Sequence, residues 1–419
     1  MIVDPEAFLR DLFVVAVAAA DPMITVPKTL PPKPVGRVVV IGAGKASARM
    51  AEAVEASWGP CEGYVITRYG YERPCQGIEI IQAAHPVPDA VGAAATQHLL
   101  DLVGPLGADD FVLALISGGG SALLTAPAGQ ISLAELQALN SDLLASGATI
   151  DQINIVRKHV SRIKGGQLAA AVYPAQMLAL MISDVPGDDP AFIASGPTVG
   201  DRSTPQDARA ILDYFAITAA PSISAVLHGQ SGVLKPDDPR LAKTQNRVIS
   251  APSHSLAAAA EKAAQYGIRV QILGDALEGE ARDLAKAQVA QALVLQKGMS
   301  PGDPPILLLS GGECTVSGRG IGVGGPNAEF TLAAAIALQG QLGITVLACD
   351  TDGVDGAAEV AGAIATHQTL ARAKSAGVDA NLALAAHDSH GFFARVDQQV
   401  VTGPTLTNVN DFRAILIEP

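Results

Sequence analysis

Short apolar runs recur along the chain, most of them of strand length, and segments of helical period lie between them. In the first half, "RVVVI", "YVIT", "IEIIQA", "FVLALI" and "MLALMIS" predict strands, with helices over residues 46–57, 91–103, 132–146 and 151–172. The second half repeats the alternation. There "RVISA", "RVQIL", "PILLL" and "ITVLAC" predict strands, and helices follow over 255–266, 278–296, 327–338 and 369–376. Strand–helix alternation connects through right-handed crossovers and gives mostly parallel sheets. The predicted fold class is therefore α/β, with ligands beyond the carboxyl ends of the strands.

Residues 228–247, "HGQSGVLKPDDPRLAKTQNR", are polar, rich in Gly and Pro, and lack periodicity, which predicts a linker. The expected organisation is an N-terminal Rossmann-like domain over 1–235 and a C-terminal α/β domain over 245–419. A length of 419 residues suits two such domains. With 49% hydrophobic and only 16% charged residues, both cores are easily filled. The long apolar helices also permit a homodimer.

A net charge of −13 argues against nucleic acid, whose phosphates reward clusters of Lys and Arg. It leaves room for an anionic small molecule, which needs only a few local cations. Near the start, "FVVAVAAAD" has the look of an export signal, but Asp4, Glu6 and Asp11 replace the positive leader that export requires. No apolar run approaches the ~20 residues of a membrane span. Cys61, Cys75, Cys314 and Cys349 form no CxxC pair, as expected of reduced thiols. These features predict a cytoplasmic protein that does not engage a membrane.

The first strand runs into "GAGKAS", a half-filled dinucleotide fingerprint. Gly42 and Gly44 are in place, but Ser47 stands at the third glycine position and Lys45 inside the turn. Thr67 and Arg68 occupy the end of the next strand, where a dehydrogenase needs an acidic residue for the ribose. A phosphate loop of the GxxxxGK[ST] type also fails, at Val39 and Ala46. What survives is a lysine at a helix start, an arrangement that attracts an anion.

Other stretches point the same way. "SGGGSALL" (residues 117–124) lets a ligand approach the backbone after a buried strand. "NIVRKHVSRIKGG" (154–166) concentrates cations in an acidic chain, with Asn154, Arg157 and Lys158 on one helical face and Lys158 and Arg162 on another. "SDVPGDDP" sets Asp184, Asp188 and Asp189 after a strand, a usual source of oxygen ligands for Mg²⁺. "CDTDGVDGA" repeats the theme with Asp350, Asp352 and Asp355. His85 lies in "AAHPVPD", read as a rigid turn, and "HDSH" (387–390) lacks the third ligand that zinc requires. Two acidic strand-end loops with cationic and glycine turns suggest metal-assisted phosphoryl transfer.

In chain order, "GAGKAS", "HPVPD", "SGGGSALL", "INIVRKHVSRIKGGQLA", "SDVPGDDPAFIASGPT", "GVGGPNAEF", "DTDGVDGAA" and "VTGPTLTNVNDF" resemble the class II glycerate kinases. This is the glycerate 2-kinase family whose C-terminal part is called the MOFRL domain, and its members have often been labelled hydroxypyruvate reductases. The resemblance implies two α/β domains around a cleft that holds the active site, and ATP-dependent phosphorylation of D-glycerate to 2-phosphoglycerate with Mg²⁺. It implicates the lysine matching Lys45 in that site. Many members carry an arginine where this chain has Pro326, so that role is not carried over, and whether Arg319 substitutes is open.

On this reading Lys45 and Asp184 are the catalytic candidates, and Asp184 with Asp189 the Mg²⁺ ligands. Ser121, Asn154, Arg157 and Lys164 are expected at the substrate, with the planar fork of Arg157 on its carboxylate. Gly44, Gly118, Gly119, Gly120, Glu313, Asn327 and Asp350 are expected at the nucleotide. Two rivals stay open: an NAD(P)H-dependent hydroxypyruvate or tartronate reductase, and a non-catalytic anion-binding protein.

Overall fold

The fold is described by a computed structural model covering residues 2–318, 320, 322–356 and 358–419. Arg319 lies outside the described residues. The chain divides into two compact units: one comprises Pro22–Asp184 and Asp188–Ile249, the other the chain up to Asp21, Val185–Gly187 and Ser250–Pro419.

The first unit is built on a six-stranded sheet of β1 (Val38–Ala43), β2 (Glu62–Arg68), β3 (Ile78–Ala83), β4 (Phe111–Ile116), β5 (Gln176–Ile182) and β6 (Thr244–Ser250). Their order is β3-β2-β1-β4-β5-β6, and the pairings from β3 through β5 are all parallel. Every residue of β1 is buried, as are Val112–Ile116 in β4, which explains why both read as continuous apolar runs. Helices Ser47–Trp58 and Ala90–Val103 make crossovers, burying small side chains such as Ala48, Ala51 and Ala95. The strand order reverses between β1 and β4, and a switch point of this kind is where doubly wound sheets take their ligands.

Two sequence expectations shift in this unit. β6 closes the first sheet, so the sheet runs past the boundary placed at 235–245. The helix expected over 151–172 is two helices, Ile150–His159 and Gln167–Val172. Gly165 and Gly166 between them have φ of 60° and 81°, left-handed values that end a helix, so Arg162 and Lys164 lie on the connection and Lys158 shares no helical face with Arg162.

The second unit holds β7 (Arg269–Gly274), β8 (Gly279–Glu280), β9 (Ile306–Gly312), β10 (Cys314–Thr315), β11 (Ile344–Asp350), β12 (Gly362–Ala365), β13 (Gln399–Val400) and β14 (Asp411–Ile417). The order of its main sheet is β13-β12-β11-β14-β9-β7. Only β7 and β9 pair in parallel; the other four pairings are antiparallel. The expectation of a mostly parallel second sheet is corrected here. The fully buried run "DFRAILI" returns as β14 without a crossover helix and inserts between β9 and β11.

"FVVAVAAAD" proves to belong to the helix Pro5–Ala19, capped by Asp4, whose side chain accepts the N–H of Ala7 at 3.0 Å. Its Leu9, Leu12, Phe13 and Ala16 join Leu256, Ala259, Leu307 and Phe412 in one core of the second unit. Among the described residues, no helix is long and apolar enough to cross a membrane.

Candidate active site

The turn after β1 and the turn after β4 are stitched together at the switch point. Gly44 has φ of 144°, and a Cβ on it would stand 2.0 Å from Ser117 Oγ, so only glycine fits. Its N–H donates to the Ile66 carbonyl at 3.1 Å. The Lys45 N–H donates to Gly118 O at 2.8 Å, and the Ala46 N–H to Ser117 Oγ at 3.0 Å. The backbone donors of this turn are thus spent within the protein. The anion attraction expected there falls to the Lys45 side chain, and Gly44 serves as the hinge of the turn.

The turn after β4 differs. Gly119 adopts φ of 80°, and the N–H groups of Gly118 and Gly119 have no acceptor among the described residues. A Cβ on Gly119 would lie 3.1 Å from His85 Nε2 and 3.2 Å from Lys45 Cγ. The half-buried Lys45 therefore passes directly over this backbone, with His85 beside it. His85 was legible in the sequence only as part of a turn before prolines. Its membership of this cluster depends on β3 lying three places from β4 in the sheet, which no local pattern records.

Ser121 follows in the short helix Gly120–Leu123, and its hydroxyl lies 2.8 Å from that of Ser195. Ser195 also donates to Asn154 Oδ1 at 2.9 Å. Arg157, one turn further along the same helix, donates from Nε to Asn140 Oδ1 at 2.9 Å, and burial pushes its pKa down. Lys164 is buried and donates from Nζ to the Leu124 carbonyl at 2.5 Å. Burial first, and Arg157 second, bring its pKa down to about 7. The other cations of the run are internal. Lys158 pairs with Asp201 and lies 5.1 Å from the centre of the Phe192 ring. His159 sits between the hydroxyls of Ser231 and Ser203, its pKa lowered to about 4 by burial.

Asp184 follows β5 half-buried, whereas Asp189 is exposed and its Oδ1 accepts the Ala191 N–H at 2.9 Å. Asp188 Oδ1 is a buried oxygen with no hydrogen-bond donor. No group of three or more His, Cys, Asp or Glu side chains among the described residues is placed to hold a metal ion by itself. The hard oxygens of Asp184 and Asp188 nevertheless suit Mg²⁺, which usually takes one or two carboxylates and completes its shell with phosphates and water.

The remaining candidates belong to the second unit. Glu313 is exposed and Asp350 half-buried, the latter accepting the Asp352 N–H at 2.9 Å. Asn327 is 1% exposed, and its amide donates to Asp411 Oδ1 at 2.6 Å and Asp355 Oδ1 at 3.3 Å. Its side chain is thus a strut between two buried aspartates, where the sequence suggested a nucleotide contact. Asp355 also accepts the N–H groups of Asn327 and Ala328, at 3.0 and 2.8 Å, capping the helix Pro326–Leu338 from outside. His390 joins Asp355 at 2.9 Å, and His387 joins Glu329 at 2.9 Å. The two histidines of "HDSH" are therefore held by different carboxylates.

Residues 8–228 match the family described as Domain of unknown function (DUF4147), and residues 306–411 match the MOFRL family. A protein of Agrobacterium vitis named putative hydroxypyruvate reductase is 49% identical over 99% of this chain and 95% of its own. The D-glycerate 2-kinase of Thermotoga maritima is 37% identical over 97% of this chain and 98% of its own. The crystal structure of a glycerate kinase from Thermotoga maritima superposes with a TM-score of 0.86 at 36% identity, covering 99% of both chains.

Proposed function

Because the chain belongs to the MOFRL-bearing family that includes the glycerate 2-kinases, we propose that it phosphorylates D-glycerate with ATP, at the 2-hydroxyl. The observation that carries the site is the packing of Lys45 across Gly119, next to two backbone N–H groups with no described acceptor. Phosphoryl transfer needs positioning and charge neutralisation above all. Lys45 neutralises charge on the transferring phosphoryl group, and the N–H groups of Gly118 and Gly119 hold phosphate oxygens. The 2-hydroxyl of glycerate attacks the γ-phosphorus in line, the bond to the β–γ bridging oxygen breaks, and ADP leaves. Asp184 accepts the hydroxyl proton. Arg157 supplies positive charge for the substrate carboxylate, and Lys164, whose ammonium form persists only near and below pH 7, adds to it there.

Asp184 and Asp188 would hold Mg²⁺, which would supply neutralising charge for the phosphates. Asp189 is the poorer ligand because one of its oxygens is committed to Ala191. The protein works in the cytoplasm, in keeping with its four free cysteines.

The reductase name borne by the Agrobacterium relative finds little support in the chemistry of the switch point. A dinucleotide site needs a carboxylate at the end of β2 to hold the ribose. There the buried Thr67 donates to Gly44 O at 3.1 Å, and Arg68 follows. The deciding experiment incubates purified protein with D-glycerate, ATP and Mg²⁺ and resolves the product as 2- or 3-phosphoglycerate. Oxidation of NADH by hydroxypyruvate without any ATP-dependent product would overturn the proposal.

A further inference from the structure

Ser195 is fully buried and has φ of 61°, and Ala194 before it has φ of 52°. A non-glycine residue in the left-handed region is strained, and such strain persists where the side chain is needed. The Ser195 hydroxyl has a single hydrogen, and it is donated to Asn154 Oδ1, an atom that can only accept. In its 2.8 Å contact with Ser121, Ser195 must therefore accept, and Ser121 spends its own hydrogen on that bond. The remaining lone pairs of Ser121, which is half-buried, can only accept. They repel carboxylate and phosphate oxygens and attract an O–H.

On the reading given above, the ligand is D-glycerate, whose only donors are its two hydroxyls. The 2-hydroxyl gives up its proton during transfer and needs a base, which a serine retaining its hydrogen is not. We propose that Ser195 is a positioning residue that fixes Ser121 as the acceptor for the 3-hydroxyl of glycerate, making the pair a determinant of specificity against 2-hydroxy acids that lack this group.

The test uses D-lactate, which keeps the carboxylate and the 2-hydroxyl but has a methyl group in place of the hydroxymethyl. Dissociation constants of D-lactate and D-glycerate are measured by calorimetry for the wild type, Ser195→Gly, Ser121→Ala and the double variant. Glycine suits φ of 61°, which offsets the loss of the bond to Asn154, so Ser195→Gly is expected to fold with a thermal midpoint near that of the wild type while the preference for glycerate falls about 10-fold. Ser121→Ala should lose the same factor, and the double variant no more than either alone. An unchanged preference in Ser195→Gly, or equal weakening of both ligands, overturns the inference while the kinase reading stands. A wild type that makes no phosphoglycerate from ATP and glycerate overturns the kinase reading, and the inference with it.

Discussion

Lys45 and Gly119 are in contact across the switch point of the first sheet: a methyl group on Gly119 would stand 3.2 Å from Lys45 Cγ and 3.1 Å from His85 Nε2. Gly119 thus serves two needs, a left-handed backbone with φ of 80° and clearance for two side chains. Gly119→Ala is expected to cost about 1–2 kcal/mol of stability for the backbone strain. Displacing Lys45 by a fraction of an ångström should lower kcat/KM by roughly 10-fold, short of the loss that a full ångström brings. Steady-state kinetics beside a denaturant titration separate the two effects. An alanine variant with full activity would show that Lys45 is not positioned by this contact.

Lys45 supplies charge and little packing energy on the proposed mechanism. Lys45→Met, which keeps most of the apolar stem, should therefore fold normally and lose roughly 10²–10³-fold in kcat. Glycerate binding, followed by calorimetry, should change far less. Full turnover in Lys45→Met would remove the central residue of the mechanism.

Asp188 has a buried oxygen without a donor, while Asp189 has one oxygen committed to the Ala191 N–H. If Mg²⁺ takes Asp184 and Asp188, then Asp188→Asn raises the Mg²⁺ concentration for half-maximal rate by roughly 10-fold or more, and Asp189→Asn hardly moves it. Chelation of the metal should abolish turnover in every variant. The reverse order of the two asparagine variants would restore Asp189 as the ligand.

The strands of the first sheet were legible because parallel, doubly covered strands are apolar throughout, as in "VVVIGA" and "FVLALI". The two turns beyond them were legible because glycine marks close backbone approach. The antiparallel insertion of β14 was not, since nothing in "DFRAILI" tells which strands it will separate. Nor was the role of Asn327: a polar residue at a helix start suggests a cap or a ligand contact, and only the distant Asp355 and Asp411 make it a buried strut. The commitment of the backbone donors at Gly44, Lys45 and Ala46 was equally hidden, because their acceptors come from β2 and from the turn after β4.

Lys164 links stability to pH. Its folded pKa of about 7 lies below the ordinary lysine value of 10.5, with burial the main cause. Between those values the unfolded chain binds the proton and the folded chain does not, so this group makes stability rise with pH from about 7 towards 10.5. Below the folded value, holding a buried ammonium costs stability in full. Lys164→Met should be more stable than the wild type near pH 7, with the difference shrinking as pH rises towards 10. Denaturant midpoints of both proteins across that range, compared pairwise, cancel the titration of other groups. A difference that does not depend on pH would contradict the buried, weakly basic state of Lys164.

Asp355 carries the heaviest polar load of the second unit. Its fully buried carboxylate caps the helix Pro326–Leu338 through the N–H groups of Asn327 and Ala328, and also holds His390 and the Asn327 amide. Asp411, on the far side of Asn327, is buried with Arg413, and burial raises its pKa despite that arginine. The two carboxylates are therefore unequal: removing Asp355 orphans two helix donors and a buried imidazole, whereas Arg413 beside Asp411 also donates to the carbonyls of Gly311 and Gly312 and keeps those partners. Asp355→Ala should cost about 3–5 kcal/mol, the range for breaking a buried polar pair on one side. Asp411→Asn, close in shape and uncharged, should cost clearly less. Calorimetric unfolding of the whole protein provides the comparison, and equal losses in the two variants would refute the asymmetry.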